Sequence, residues 1–406
     1  MIFYNTSIQF RENLQNINSY LVILLGLSLP LSISVSTIIL GLILLLWIVE
    51  GNFIKKYQII KHNPIIYTFI AFFMLQVLGL LWTSDLKWGQ HIIGKEWRIL
   101  LPLVLITIVK KEHIKYYIFS FLLAMSISEF LSYLIFFKII PPILNASIYD
   151  PTPFITHVSY NPLLAFSIFL LAYLTFFKKN YTNFPEKVIS IIFMLTMSAN
   201  MFITGGRAGQ VGFFTMFVVF IFLYFRRNLT NAFLIIVITI PLLFTLAYNS
   251  STIFQDRVDM AVKNSKNFKD DPNTSVGLRL TFLTNSLEII KHNPIFGVGT
   301  GDFPSAYQKI NKKNTPTVIP PSQPHNMYIL EMVQFGIFGL ISLLAIFYMQ
   351  IKISFEDNEL KPLRLALPIL FLVIMLSDSY LLGHYTTLLF VYFSSFLYKD
   401  FDSEKA

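Results

Sequence analysis

Two arginines and a histidine are the residues of this sequence that could do chemistry together. Arg207 follows a Thr-Gly-Gly run, Arg279 lies in a long polar stretch, and His325 ends that stretch before an apolar segment. Two guanidinium groups can bind a diphosphate through paired, charge-assisted hydrogen bonds. A neutral imidazole beside them can accept a proton from a hydroxyl group. The three side chains could act on one substrate only if the fold brings them to one place.

Each of these residues also has a structural interpretation. Arg207 could be an interfacial arginine whose charged head reaches water at the membrane surface. Arg279 could simply pair with Asp271 or Glu288. His325 could be a helix-terminal residue that is hydrogen-bonded through its ring. None of the three residues predicts a function by itself. Whether they form one site depends on where the helices and loops that carry them place their side chains.

The composition is that of a membrane protein. The chain has 406 residues, of which 55% are hydrophobic and 13% are charged, and its mean hydropathy is +0.63. A soluble domain has about 25% charged residues. Apolar runs of roughly 18 or more residues recur, which predicts an all-α polytopic membrane protein rather than a β-barrel with short alternating segments. The chain contains no cysteine, which excludes disulfides, iron–sulfur clusters and thiolate zinc sites.

About twelve transmembrane helices are predicted from these runs and their punctuation. Residues 16–49 are too long for one span and are divided at Pro30, and residues 99–109 form a short span with an amphipathic approach. The other spans are 64–82, 114–138, 158–177, 188–203, 208–225, 232–248, 327–351, 363–380 and 381–398. Losing either the division at Pro30 or the short span would reverse the side of every later loop.

The distribution of basic residues predicts which side of the membrane each loop faces. With the N-terminus inside, every predicted cytoplasmic loop carries two or more lysines or arginines close to a span, whereas the connection 139–157 carries none. This positive-inside pattern places both termini in the cytoplasm. The net charge of +9 therefore follows from topology and an anionic inner leaflet, and it does not indicate a nucleic-acid partner.

The span count divides the chain into four regions. Residues 1–248 contain helices 1 to 9, residues 249–324 form a large loop between helices 9 and 10, residues 325–398 contain helices 10 to 12, and residues 399–406 form a cytoplasmic tail. The loop is too long for a passive connection, and we expect it to lie in the periplasm.

The loop contains a predicted amphipathic helix. The turn from Asp270 to Thr274 supplies N-cap chemistry, and the helix continues to about Lys291. Its apolar residues are spaced by four and three positions, which predicts one apolar face on the membrane surface or against the span ends. These residues are Val276, Leu280, Leu283, Leu287 and Ile290.

A glycine-rich segment follows that helix, with Gly297, Gly299 and Gly301 at alternate positions. Glycine lets the backbone turn tightly and approach a neighbour closely. A glycine-rich loop can also bind phosphate, but this one follows no predicted strand and lacks the Lys-Ser/Thr ending of a P-loop. Taken alone, it does not identify a phosphate site.

In their order along the chain, these features resemble the motifs of the O-antigen ligase family. They are Gly-Gly-Arg207 between two spans, Arg279 in an amphipathic outer helix, Asn293-Pro-x-x-Gly297-x-Gly299-x-Gly301-x-Phe303, and His325-Asn326-x-Tyr328 opening a glycine-containing span. One such motif is common, whereas the ordered set is specific. It covers roughly residues 193–343.

The resemblance implies a GT-C-like glycosyltransferase in which Arg207 and Arg279 bind the donor diphosphate and His325 is the catalytic base that activates the acceptor. The supporting residues would be Gly206, Gly297, Gly299, Gly301, Asn326 and Tyr328. In the family the first arginine often follows serine. Here it follows Gly206, which removes a hydroxyl contact and leaves the arginine in place.

The implied donor is a glycan on undecaprenyl diphosphate, and the implied acceptor is a sugar hydroxyl of lipid A–core oligosaccharide. The transfer would build lipopolysaccharide at the bacterial inner membrane, with the active site facing the periplasm and membrane lipids around it. We expect a single inverting step without a cofactor. The outer acidic residues contain no Asp-x-Asp pair, and His91, His157, His384 and Asp378 show no metal-ligand spacing, so we expect no metal ion.

Three alternatives remain open. An O-antigen polymerase uses the same donor with a second lipid-linked glycan as its acceptor. No feature of the sequence indicates which of the two acceptors is used. A protein O-oligosaccharyltransferase usually carries extra C-terminal sequence, which counts against that option here. A lipid-glycan transporter would show internal repeats and charges at mid-membrane, of which Glu129 is the chief candidate.

Overall fold

The computed structural model describes residues 2–178, 183–266, 274–355 and 359–401, and every regular element in these ranges is a helix. In chain order the helices are α1 (Ile2–Ser28), α2 (Ile33–Glu50), α3 (Phe53–Lys61), α4 (Ile65–Leu78), α5 (Leu86–Glu96), α6 (Leu101–Ile108), α7 (Ile114–Phe136), α8 (His157–Phe176), α9 (Phe184–Ile203), α10 (Arg207–Tyr224), α11 (Leu229–Ser250), α12 (Thr252–Lys266), α13 (Ser275–His292), α14 (Phe303–Asn314), α15 (Met327–Ser354), α16 (Lys361–Ile374) and α17 (His384–Leu397). The prediction of an all-α polytopic membrane protein is confirmed.

Seven of the described helices are long and apolar enough to cross a membrane, judged by length and composition. They are α2, α7 with the turn before it, α8, α9, α10, α11 and α15. An eighth span is reached if α3 and α4 are one segment bent by 96°. The count of twelve and the GT-C-like architecture stay predictions.

Three predicted spans are shorter helices than expected. α6 has 8 residues, and α16 and α17 have 14 each. At a rise of about 1.5 Å per residue, none of them covers a hydrocarbon core about 30 Å thick. The predicted spans 363–380 and 381–398 are wrong in length because the run Ser377-Asp378-Ser379 and Gly383 interrupt the apolar sequence, and residues 375–383 form turns instead of helix.

The long N-terminal apolar region is divided near Pro30, as predicted. α1 ends at Ser28 and α2 begins at Ile33, where the side chain of Ser32 caps the new helix by accepting a hydrogen bond from Val35 N. Proline lacks an amide hydrogen and disfavours a continuous helix at this point. α1 begins at Ile2, which is earlier than the predicted start at residue 16.

Small residues on α10 let it pack closely against its neighbours. A Cβ atom on Gly209 would lie 2.2 Å from Cβ of Asn161 in α8, and one on Gly212 would lie 2.9 Å from Cδ1 of Leu370 in α16. Inside a membrane, where the lipid is as apolar as the protein, such close packing is what brings helices together. It fixes the first residue of α10, Arg207, relative to α8 and α16.

The connection between α11 and α15 contains three described helices, α12, α13 and α14, whereas one was predicted. α13 agrees with the predicted helix and ends at His292. Residues 270–273 of the predicted capping turn lie outside the described residues, and the side chain of Thr274 caps α13 by accepting from Gly277 N at 3.1 Å. α12 and α14 were not predicted, although the apolar residues of α14 recur at helical spacing, at Phe303, Ala306, Tyr307 and Ile310.

The buried face of α13 differs from the predicted stripe. Leu280 and Leu287 are 36% and 48% exposed, whereas Phe282 is buried. Asn285 is also buried, and its Nδ2 donates to the hydroxyl of Tyr307 in α14 at 3.0 Å. Because the buried polar residue Asn285 is satisfied by α14, apolar periodicity alone could not identify this face.

The glycine-rich segment is a packing element between α13 and α14. Gly297, Gly299 and Gly301 have φ of 64°, 105° and 81°, a region that L side chains rarely adopt. A Cβ atom on Gly297 would lie 2.3 Å from the carbonyl carbon of Gln334. The amides of Gly299 and Gly301 donate to the backbone and side-chain oxygens of Gln334 at 2.9 and 2.6 Å. These amides therefore hold α15 and do not face a phosphate.

The glycine-rich segment also forms hydrogen bonds with the backbone of α15 where this helix is broken. Gly336 has a non-helical backbone inside this helix, with φ 60° and ψ −144°. Val298 N donates to Val333 O, and Ile337 N donates to Pro294 O, both at 2.9 Å. The inserted backbone thus satisfies polar groups that the break would leave unpaired within a membrane helix.

Candidate functional site

Three arginines line one cavity of about 110 Å³ at the end of the bundle that carries α12 to α14. Arg207 comes from the first turn of α10, Arg257 from α12 and Arg279 from α13. Asp378 and Tyr380, from the turns between α16 and α17, line the same cavity. The fold therefore brings together the two arginines that the sequence predicts and adds a third.

The hairpin between α9 and α10 positions Arg207. A Cβ atom on Gly206 would lie 2.5 Å from the backbone oxygen of His157 and 2.6 Å from Nδ2 of Asn161. The Asn161 amide donates to Gly206 O at 3.2 Å. A serine in place of Gly206 would therefore not fit here unless α8 moved. The first turn of a helix also presents backbone amides and a positive dipole to an anion.

No motif in the sequence singles out Arg257. The outer connection contains two arginines, and only Arg279 has the helical context that the family motif describes. In the structure Nη2 of Arg257 lies 3.1 Å from the position of a Cβ atom on Gly205. The two small residues of the hairpin thus leave room for this guanidinium, a long-range effect that local sequence does not report.

The charges in the cavity favour an anionic ligand. Three guanidinium groups against the one carboxylate of Asp378 leave a formal excess of two positive charges among the lining residues. Arg279 is exposed and Arg207 is half-buried, so water screens the first more than the second. A diphosphate matches both the sign and the size of this excess.

Of the two carboxylates that could give Arg279 a purely structural role, the structure describes one. Asp271 lies outside the described residues. Glu288 instead binds α14, since its Oε2 accepts from Asn314 Nδ2 at 2.6 Å and its Oε1 lies 3.5 Å from Lys313 Nζ. The hydrogen bond from Asn314 lowers the pKa of Glu288, which keeps the carboxylate charged in this contact.

His325 meets the cavity through Asp378. Its Nδ1 lies 3.2 Å from Oδ1 of Asp378, which also lines the cavity. The imidazole stacks on Phe282 of α13, with ring centroids 6.1 Å apart. Its side chain is 36% exposed. With Nδ1 directed at a carboxylate, Nε2 is the nitrogen that can accept a proton from a substrate.

The backbone of His325 is held in an uncommon conformation. Its φ is 53°, in the left-handed region, which costs a residue other than glycine about 1–3 kcal/mol. Such a conformation persists only where the surroundings fix it. The next residue, Asn326, caps α15 by accepting from Ile329 N at 3.1 Å.

Asn326 and Tyr328 tie this helix start to the end of α16. Asn326 Nδ2 donates to Leu376 O at 3.1 Å, and the Tyr328 hydroxyl donates to Leu372 O at 2.6 Å. The two acceptors lie two and six residues before Asp378 in the chain. The supporting residues that the resemblance implies thus hold together the two segments that carry the His325–Asp378 pair.

The other outer histidines have separate positions. His157 lines the arginine cavity, and its Nδ1 lies 2.6 Å from Oδ2 of Asp150. His91 packs against Trp88 with ring centroids 4.7 Å apart. Across the part of the chain that the structure describes, no three histidine or acidic side chains are grouped to hold a metal ion.

Fold and site together define a polytopic α-helical membrane protein with an arginine-lined cavity at one end, and the wall of this cavity contains the carboxylate that contacts His325. Residues 192–344 match the model of a protein family described as O-Antigen ligase. This region contains Arg207, Arg279 and His325. The ordered motifs predict this similarity to the O-antigen ligase family, and the matched region is less than half of the chain.

A protein of Haemophilus influenzae (strain ATCC 51907 / DSM 11121 / KW20 / Rd), described as uncharacterized, is 28% identical to this chain over 190 residues. The match covers 45% of this chain and 46% of that protein, so the similarity spans about half of each.

Proposed function

We propose that this protein is an O-antigen ligase that transfers a glycan from undecaprenyl diphosphate to a sugar hydroxyl of lipid A–core oligosaccharide. One observation carries the proposal. Arg207, Arg257 and Arg279 line a single cavity, and its wall also contains Asp378, the partner of His325. A cationic cavity beside an oriented imidazole fits a reaction in which a diphosphate leaves and a hydroxyl attacks.

The donor diphosphate would bind to the three arginines. Guanidinium groups bind phosphate oxygens bidentately, and the amides in the first turn of α10 add to the positive field. Since Arg207 begins an apolar helix, a polyprenyl tail could lie in the bilayer while its diphosphate reaches the cavity. The cations would stabilise the negative charge that grows on the diphosphate as its bond to the sugar breaks.

The transfer itself is a single displacement. The acceptor hydroxyl oxygen forms a bond to the anomeric carbon, while the bond from that carbon to the phosphate oxygen breaks and its electron pair leaves with the diphosphate. The hydroxyl proton passes to Nε2 of His325. Attack from the face opposite the diphosphate inverts the anomeric centre. Asp378 would orient the imidazole and stabilise the imidazolium that forms.

We infer that the cavity opens to the periplasm of the bacterial inner membrane and that both termini are cytoplasmic. The basic loops at the opposite end support this orientation, because lysine and arginine accumulate on the cytoplasmic side. A lipid-linked glycan and lipid A–core are then reached from the same face.

The test is a glycolipid gel from cells that lack the gene, complemented with the wild type or with His325→Ala, Arg207→Ala or Arg279→Ala at equal expression. We expect bare lipid A–core and accumulated lipid-linked polymer in the deletion, and no restored ladder with the three variants. Arg226→Ala, an exposed arginine beyond α10, is the control and should restore it.

Two outcomes would contradict the proposal in different ways. Lipid A–core capped by a single repeat unit in the deletion would identify a polymerase, the alternative that shares the donor. Near-normal transfer by His325→Ala would remove the histidine from the base role and leave the ligase assignment standing.

A further inference from the structure

A second cavity of about 200 Å³ adjoins the arginine cavity. Val158, Asp378 and Tyr380 line both of them, so the two cavities share a wall that contains the partner of His325. A ligand in the second cavity and a diphosphate in the first would therefore meet at the His325–Asp378 pair. Unlike the arginine cavity, the second cavity has no arginine among its lining residues.

The remaining lining of the second cavity suits a sugar. Trp88 of α5 is half-buried and offers an aromatic surface, and Lys95 lies on the same helix with Nζ 6.0 Å from the centre of the Trp88 ring. Gln323 and Ser379 supply polar groups. An apolar aromatic face with a few polar groups around it is the usual composition of a small-molecule site.

Two of these polar groups have unsatisfied hydrogen-bonding capacity. Oγ of Ser379 and Oε1 of Gln323 are buried without a hydrogen-bond partner among the described residues. Ser379 is only 4% exposed. A buried polar atom without a partner costs about 1–3 kcal/mol, so a native structure usually provides one. A ligand with several hydroxyl groups could donate to Oε1 of Gln323, and it could either donate to or accept from Oγ of Ser379.

The chain positions of these groups connect them to the reaction. Gln323 lies two residues before His325, and Ser379 directly follows Asp378. The Ser379 amide also donates to Oδ1 of Asp378 at 2.8 Å. A ligand that binds Gln323 and Ser379 is therefore held beside the two residues that would activate a hydroxyl.

The wall of the second cavity that contains Trp88 is anchored to α14 through the turn before α5. The carboxylate of Asp302, at the start of α14, accepts from the hydroxyl of Thr83 at 2.8 Å and from the amide of Ser84 at 2.6 Å. The side chain of Asp85 then caps α5 by accepting from Trp88 N at 2.9 Å. Trp88 thus stands on a helix whose start is anchored.

We propose that the second cavity is the acceptor subsite, which binds the sugar unit that carries the attacking hydroxyl. The sugar ring stacks on Trp88, its hydroxyl groups bond to Gln323 and Ser379, and an anionic substituent on it meets Lys95. The inference rests on the proposed function, and it assigns donor and acceptor to two cavities that meet at Asp378.

The first experiment measures binding without transfer. Wild type and variants in detergent are titrated with delipidated core oligosaccharide and, separately, with a purified repeat-unit oligosaccharide, and the dissociation constants are compared. We expect Trp88→Ala and Ser379→Ala to weaken binding of one of these glycans about five- to tenfold. Trp82→Ala, a tryptophan that contacts Phe296 instead, is the matched control.

The second experiment separates the two subsites by kinetics. Trp88→Ala should raise the KM for the acceptor and leave that for the donor unchanged, and Arg257→Ala should do the opposite. Unchanged glycan binding and acceptor KM in Trp88→Ala and Ser379→Ala would overturn the acceptor subsite while transfer by the wild type upheld the proposed function. If only the repeat unit binds, in a Trp88-dependent way, the subsite stands and the acceptor of the proposed function is wrong.

Discussion

At the scale of single residues, some side chains of the site supply positive charge and another orients the imidazole. Arg207, Arg257 and Arg279 supply charge, and Asp378 orients His325. Charge acts over several ångströms and tolerates variation, whereas proton transfer requires a specific nitrogen at hydrogen-bond distance. Substitutions of the two kinds should therefore affect different kinetic constants.

Arg257→Ala should raise the KM for the donor about tenfold or more, because a charge-assisted hydrogen bond contributes about 1.5–3 kcal/mol. Arg257→Lys should recover part of the loss, since it restores the charge but not the paired geometry. Initial rates at varied donor concentration measure both. A donor KM equal to that of the Arg226→Ala control would show that Arg257 does not contact the diphosphate.

Asp378→Asn should lower kcat about 10²-fold with little change in donor KM, because general-base catalysis contributes about 10²–10⁴-fold and depends on the imidazole orientation. Asp378→Glu should recover activity partly. The split between kcat and KM distinguishes this role from general unfolding, which would lower the amount of active enzyme in all assays. An unaltered kcat in Asp378→Asn would exclude the orienting role.

At the scale of elements, glycines decide how closely the parts of the site approach. Gly206 lets the α9–α10 hairpin contact α8, and Gly297 lets the glycine-rich segment contact the break in α15. Neither glycine needs to touch substrate. Both act by allowing a backbone contact that fixes an arginine or the helix after His325.

Gly206→Ser introduces the hydroxyl that the family resemblance leads one to expect before the arginine, yet we expect it to reduce activity. Its Cβ would lie 2.5 Å from His157 O, so α8 or Arg207 must shift. The measurement is the glycan ladder at equal expression, together with the melting temperature. Activity above that of the wild type would mean that the serine hydroxyl contacts the donor and that the hairpin adapts.

Gly297→Ala should destabilise the protein by at least about 1–3 kcal/mol, since its φ of 64° and the contact of 2.3 Å with Gln334 both disfavour a side chain. Thermal unfolding in detergent measures this loss. Gly94→Ala, where a Cβ atom has nothing within 4 Å, is the control and should leave stability equal or slightly higher. Equal melting temperatures would remove the glycine-rich segment from the packing role.

At the scale of the whole molecule, the two ends of the bundle carry different chemistry. One end has the arginine cavity and the helices α12 to α14, and the other has the basic loops that predict the cytoplasmic side. α8 connects them, with His157 at one end and Lys178 just beyond the other. At about 1.5 Å per residue this helix is as long as a hydrocarbon core is thick.

Topology can be measured directly because the natural chain contains no cysteine. Ser322→Cys and Asn228→Cys place single thiols at exposed positions, one at each end. A membrane-impermeant maleimide should label position 322 in spheroplasts and position 228 only after permeabilisation. The reverse pattern would place the cavity in the cytoplasm and contradict the orientation that a ligase requires. Labelling at both positions without permeabilisation would indicate leaky spheroplasts. The integrity of the spheroplasts is therefore verified with a cytoplasmic marker.

The sequence by itself determined the class of protein, the resemblance to the O-antigen ligase family and the chemically active residue types. Apolar runs, the positive-inside pattern and the ordered motifs are local or additive features, so they predict membrane helices and name Arg207, Arg279 and His325. Only the tertiary structure placed Arg257 beside them and paired Asp378 with His325. It also decided the buried face of α13 and the packing role of the glycine-rich segment. These features depend on contacts between residues far apart in the chain, and local periodicity contains no information about which distant segment will cover a given face.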